Sequence, residues 1–125
     1  MKFQRSSLLI ATGIVIGAVS SGVLQAQNTP PAFTIAEIQV TDPEVFKEYG
    51  QATGISVPAS GGRFIVRSGK SFAINGDPPK SIVVIQWESL DKARAFFESA
   101  DYKRLVPVRD KGSNFRAFNI EGLAK

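Results

Sequence analysis

The chain has no cysteine and no histidine among its 125 residues. Those absences remove the usual neutral-pH base, thiolate nucleophiles and the soft metal ligands. Histidine-ligated haem, zinc held by imidazole or thiolate, and Ser-His-Asp or Cys-His catalysis are excluded with them. Disulfides are excluded too, so the domain must hold together by packing alone. The 11 acidic residues are scattered, without the dense Asp/Asn spacing of a calcium loop. No P-loop or dinucleotide fingerprint occurs, and Gly61-Gly62 stands between an expected helix and strand, the wrong setting for cradling phosphate. No metal and no cofactor is expected. Acid–base chemistry would fall to a carboxylate, a tyrosine or a lysine.

Long apolar runs are also missing, with one exception. Met1–Ser7 carries Lys2 and Arg5 and no acid, and Leu8–Val19 is an apolar stretch of signal-peptide length. Small Ala26 suits the position just before a cut, so residues 1–26 read as an export signal and 27–32 (QNTPPA) as a flexible lead-in. The alternative is an uncleaved anchor, although Leu8–Leu24 is short against the roughly 20 apolar residues of a span. A periplasmic or extracellular location follows, with no membrane contact once the signal is cleaved. Without Lys2 and Arg5, the 15 basic residues fall to 13 against 11 acidic ones, a net charge of +2. Lys103-Arg104 is then the only adjacent basic pair, and nucleic-acid binding is not expected.

What is present after residue 26 is about 99 residues, holding one domain at 33–125 in the order strand, helix, strand, strand, helix, strand. Phe33–Val40 alternates, with Ala36, Ile38 and Val40 opposing Phe33, Ile35, Glu37 and Gln39. Asp42-Pro43 opens a helix, and Thr41 with Glu44 offers a capping box as an alternative start. Val45, Tyr49 and Ala52 mark its buried stripe, and Gly54 and Pro58 are expected to end it. Arg63–Ser68 reads as a strand placing Arg63, Ile65 and Arg67 on one face and continuing past a bulge at Gly69 into Phe72–Ile74. Asn75–Pro79 is a hairpin loop into Ser81–Glu88, whose Ile82 and Val84 oppose Val83, Ile85 and Trp87. Ser89 caps a second helix, and Asp101–Val106 adds a short turn stopped by Pro107. Asn114–Glu121 is the last strand, with Phe115, Ala117 and Asn119 opposing Arg116, Phe118 and Ile120. Two strand–helix–strand halves make a ferredoxin-like α+β sandwich, βαββαβ, with an antiparallel sheet. Two useful helices cover one sheet face only. The apolar second face calls for a homodimer, a second copy of the chain.

Several segments carry a resemblance. Val40–Pro43, Tyr49 and Gly61–Gly69 resemble the bacterial domain-of-unknown-function family 1330, as do Val83–Trp87, Ser89, Ala93, Ser99, Asp101-Tyr102 and Arg109. The similarity spans Phe33–Glu121 and implies a ferredoxin-like fold dimerising sheet to sheet into an α/β barrel. Where many relatives carry Arg-Gly-Gly after the second strand, this chain has Arg67-Ser68-Gly69.

Polar residues on apolar strand faces are the candidates for a site. Arg63 and Arg67, Glu37 and Gln39, and Asn119 and Glu121 would line a dimer barrel or simply pair across strands. If there is a ligand pocket, Arg67 and Arg109 are expected to charge its mouth while Tyr49 and Tyr102 form its wall. Tyrosines with surface hydroxyls, and an Arg109 that caps a helix or pairs with Asp101 or Asp110, are the structural alternatives. Three function classes remain open: a binder of a small molecule, anionic or neutral, a cofactor-free oxygenase or isomerase, and a stress-related interaction module.

Overall fold

Strand β1 (Ala32–Val40) opens the fold in the computed structural model, which describes residues 28–125. The expected signal lies outside the described residues. Ala32, placed in the lead-in by the sequence, is the first residue of β1 and is fully buried. Helix α1 (Pro43–Ala59), strands β2 (Arg63–Arg67) and β3 (Ile82–Trp87), helices α2 (Leu90–Phe97) and α3 (Ala100–Gly112), and strand β4 (Ser113–Glu121) follow. The sheet order is β2-β3-β1-β4, every neighbour antiparallel. This is the ferredoxin-like α+β sandwich.

The helix starts obey their capping chemistry. Asp42 accepts the Val45 N–H with Pro43 in the first turn, and Ser89 and Ser99 accept from Lys92 and Tyr102. The ends follow the prolines only in part. Helix α1 passes through Gly54 and ends at Ala59, one residue beyond Pro58, whereas α3 passes through Pro107, so Arg109 lies on a helix and not in a loop. Each proline forfeits a backbone bond. Packing outweighs that loss, because Val57 is buried against the core and Val106 and Val108 pack on it from either side of Pro107. The buried stripe of α1 is consequently Tyr49, Thr53 and Val57, at i, i+4 and i+8.

Gly61-Gly62 ends α1 for two separate reasons. The Gly62 N–H bonds the Val57 carbonyl and the Gly61 N–H that of Pro58, a Schellman closure that needs the positive φ of 90° at Gly61. At Gly62 a Cβ would stand 2.7 Å from Val57 Cγ1 and 2.9 Å from the Trp87 ring. The pair lets the chain turn directly over the core tryptophan.

Three helices, not two, cover the face carrying Thr34, Ala36, Ile38, Val83, Ile85 and Trp87. Trp87 is 1% exposed and packs on Phe96 and Phe97. Strand β2 departs from its expected pattern. Its register shifts between Phe64 and Val66, so Phe64 pairs Ile85, Val66 pairs Val84 and Arg67 pairs Val83. The bulge falls at Ile65 and turns Arg67 onto the helix face, away from Arg63. The strand stops at Arg67. Residues 68–81 form a loop in which Phe72 is 87% and Ile74 95% exposed, so no strand continues there.

Candidate functional site

Between the helix face of the sheet and α1 lies a cavity of about 200 Å³. Its floor is Ala36, Ile38, Val83 and Ile85 from the two central strands, small and β-branched residues that leave room beneath the helix. Tyr49, Thr53 and Val57 from α1 form the roof, and Phe96, Phe97, Tyr102 and Phe115 close one end. Arg67, Ser68 and Ser81 stand at the other, where β2 leaves the sheet and β3 enters it.

Two of the sequence-predicted tyrosines meet in the wall. The Tyr49 and Tyr102 hydroxyls are 2.9 Å apart and buried, their rings edge to face. Thr53 Oγ1 donates to the Tyr49 carbonyl. Burial above all, with Tyr102 beside it, holds the Tyr49 hydroxyl well above the ordinary tyrosine range, so it stays protonated. Arg109 joins from behind: its Nη1 donates to the Tyr102 hydroxyl at 3.0 Å and its Nε to Asp110 at 2.9 Å. Its guanidinium lies 4.6 Å from the Phe115 ring centroid. Burial opposes its charge, and the bonds to Asp110 and Tyr102 more than offset that, raising its pKa.

The proton count here matters. The Tyr102 oxygen accepts from Arg109, and only one of the two phenolic protons can lie between the tyrosine oxygens. The other has no protein acceptor among the described residues. Either hydroxyl can donate to the other, so one phenolic proton of the pair is left unshared.

The two predicted arginines are not together. Arg67 lines the cavity mouth, whereas Arg109 lies in a separate open cleft along β4 with Lys103, Val106 and Phe118. Other polar residues pair across strands on the open face: Arg116 with Glu37 at 2.5 Å, Arg63 with Gln86 at 2.8 Å and Asn114 with Gln39 at 3.3 Å. Asn119 points to the helix side, where Trp87 Nε1 donates to Thr34 Oγ1 and Thr34 donates to Asn119. Sequence reasoning missed this relay, and also Ser68 and Ser81 at the mouth; a lone Thr among apolar positions was the only available signal. Among the described residues no three His, Cys, Asp or Glu side chains converge as a metal site.

The model of the family described as Domain of unknown function (DUF1330) matches residues 31–123. No curated protein matches significantly. Among solved structures, a protein of unknown function from Rhodopseudomonas palustris is 12% identical with a TM-score of 0.62, covering 82% of this chain and 92% of its own. SnoaB, a cofactor-independent oxygenase from Streptomyces nogalater, is 14% identical with a TM-score of 0.53, over 78% and 97% of the two chains. A dimeric ferredoxin-like protein of unknown function from Thermobifida fusca is 16% identical with a TM-score of 0.51, over 75% and 92%. At such identities the likeness is one of fold.

Proposed function

The chain belongs to the DUF1330 family, and we propose that its helix-covered cavity binds a small apolar molecule bearing a hydrogen-bond acceptor. The unmatched tyrosyl proton in an otherwise apolar wall carries this reading. A site that presents a buried donor discriminates strongly against molecules that cannot accept from it. Size limits the ligand further. A cavity of about 150 Å³ admits benzene, so about 200 Å³ suits a single ring or a short branched chain. Thermal shift with single-ring compounds tests this. At 100 times its dissociation constant a ligand adds about 2.7 kcal/mol of stability. Benzamide should raise the melting temperature of the wild type more than toluene does, and Tyr49→Phe combined with Tyr102→Phe, which removes both phenolic protons, should abolish that difference. A panel in which no compound raises the melting temperature would refute it.

The same proposal includes a homodimer. Phe33, Ile35, Val66, Ile82, Val84, Phe118 and Ile120 share the sheet face that no helix covers, and the dimeric Thermobifida fusca protein shares the fold. Light scattering at micromolar concentration should report twice the monomer mass. Export completes it: mass spectrometry of the native protein should find a chain beginning near Gln27.

A cofactor-free oxygenase is the second reading, favoured by the apolar cavity that would screen a reactive intermediate from water. Tyr49, held protonated, is a donor and not a base, which places binding first. Oxygen uptake in the presence of a bound ligand would reverse that order.

A further inference from the structure

The cavity mouth holds three features that packing does not account for. Arg67 is the first. Its guanidinium lies 4.2 Å from the Phe64 ring centroid and beside α1, where a Cβ on Gly54 would come within 3.3 Å of Nη2. It has no ion pair and no side-chain hydrogen bond among the described residues, although Arg63, Arg104, Arg109 and Arg116 all have one. The residue is brought here by the bulge at Ile65; a regular strand would have sent it to the open face.

Ser68 is the second. Its φ of 56° makes it the only non-glycine residue among those described with a positive φ. That left-handed conformation suits glycine, and strain of this kind persists where a side chain is needed. The third is what the hydroxyl does. Ser68 Oγ and Ser81 Oγ are 2.5 Å apart, and both residues line the cavity. One hydroxyl proton lies between them, so the other is free to point at a ligand.

We propose that Arg67, Ser68 and Ser81 form a carboxylate clamp at the mouth of the cavity. The ligand is then a single-ring or short-chain carboxylate whose far end enters first and presents an acceptor to the tyrosine pair. This rests on the cavity-binding reading above and names the chemical class that occupies it. A guanidinium fork matches the two oxygens of a carboxylate, and one arginine with hydroxyl donors balances a monoanion. Gly54 and Tyr49 are five residues apart on α1, about 7.5 Å along the helix. A ligand held at Arg67 therefore reaches the tyrosine pair across about one ring. Gly54 lets the guanidinium lie against the helix backbone.

Calorimetric titration of the protein with benzoate and with benzyl alcohol, its neutral counterpart, tests the clamp. Benzoate should bind at least tenfold more tightly. Arg67→Gln should weaken benzoate about tenfold or more and leave benzyl alcohol unchanged. Ser68→Gly removes both strain and hydroxyl, so it should weaken benzoate several-fold while the melting temperature stays the same or rises. Equal binding of the two compounds, or benzoate affinity unchanged in Arg67→Gln, overturns the clamp while leaving the cavity reading intact. Binding of neither compound overturns both. An Arg67→Gln variant that fails to fold would make Arg67 structural and overturn the clamp, whereas Ser68→Gly, which relieves strain, still reports on the hydroxyl.

Discussion

The two faces of the sheet are made by the same four strands and both carry large apolar side chains, yet they end in different surroundings. On one, Trp87, Ile85 and Ala36 vanish beneath three helices; on the other, Ile120 remains 52% exposed and Phe118 48%. The difference lies in the polar groups. The covered face links its few through side chains of neighbouring elements, in the Trp87–Thr34–Asn119 relay and in the Tyr49–Tyr102–Arg109 chain, which keeps one unshared proton. The open face carries its polar residues as direct cross-strand pairs, Glu37 with Arg116 and Gln39 with Asn114 toward the start of β4, and Arg63 with Gln86 near the end of β3. One face is organised to be dry within a single chain. The other keeps an apolar patch edged by polar pairs, the pattern of a surface able to meet another copy.

The largest expected effect lies at the centre of the covered face. Trp87→Ala should cost about 3–5 kcal/mol, a large part of the roughly 5–15 kcal/mol that stabilises a small domain. Urea unfolding followed by circular dichroism, since the only tryptophan is lost, should show a sharply lowered midpoint. A change below about 1 kcal/mol would mean that the covered face is not the core. Thr34→Val comes next. It keeps the shape and strands the buried Trp87 N–H without an acceptor, at a cost of about 1–3 kcal/mol. Retention of wild-type stability would show that water or another group replaces the relay.

How far these faces were legible in the sequence follows from where local rules suffice. Alternation in β1 and β4 divided each strand's side chains into two sets correctly, because a strand's period of two needs no tertiary knowledge. Asp42 and Ser89 were legible as caps for the same reason. Alternation did not show that Asn119, expected in a dimer barrel with Glu37, faces the helices. Gly54 and Pro107 were misread as stops, whereas α1 does end one residue beyond Pro58; what carries α3 through Pro107 is packing by Val106 and Val108 onto distant residues. The bulge at Ile65 had no signal in the run Phe64-Ile65-Val66, where all three residues are apolar and any could be the extra one. Arg67 was thereby assigned to the wrong face of β2. Tyr49, Tyr102 and Arg109 were named as one site, and their mutual geometry depends on α3 continuing past Pro107, which residue spacing alone did not show.

The third prediction sharpens the contrast through pH. Tyr49 titrates well above its ordinary value in the folded chain because burial disfavours the phenolate. An unfolded tyrosine loses its proton near about pH 10. Below that pH both states are protonated and Tyr49 adds no pH dependence. Above it the unfolded chain holds one proton fewer, so folding stability falls by up to about 1.4 kcal/mol per pH unit. Tyr49→Phe should flatten the alkaline limb of stability against pH by one proton. An unchanged limb would place the Tyr49 hydroxyl in contact with solvent.

The smallest effect on the fold is expected on the open face, and it is the one that can break the comparison. Phe118→Ser with Ile120→Ser changes two side chains that are about half exposed in the single chain. Exposed substitutions of this kind usually fall within about 0.5 kcal/mol each, so the monomer's own stability should scarcely move. Association is another matter. If a second copy covers this face, folding is linked to dimerisation and the wild-type melting temperature must rise with protein concentration. In the double variant that concentration dependence should vanish and light scattering should report the monomer mass. A wild type whose melting temperature is independent of concentration, and whose mass is that of one chain, would instead show that this apolar face meets water. Its apolar patch would then need a different occupant, and the symmetry argument for a second copy would fail.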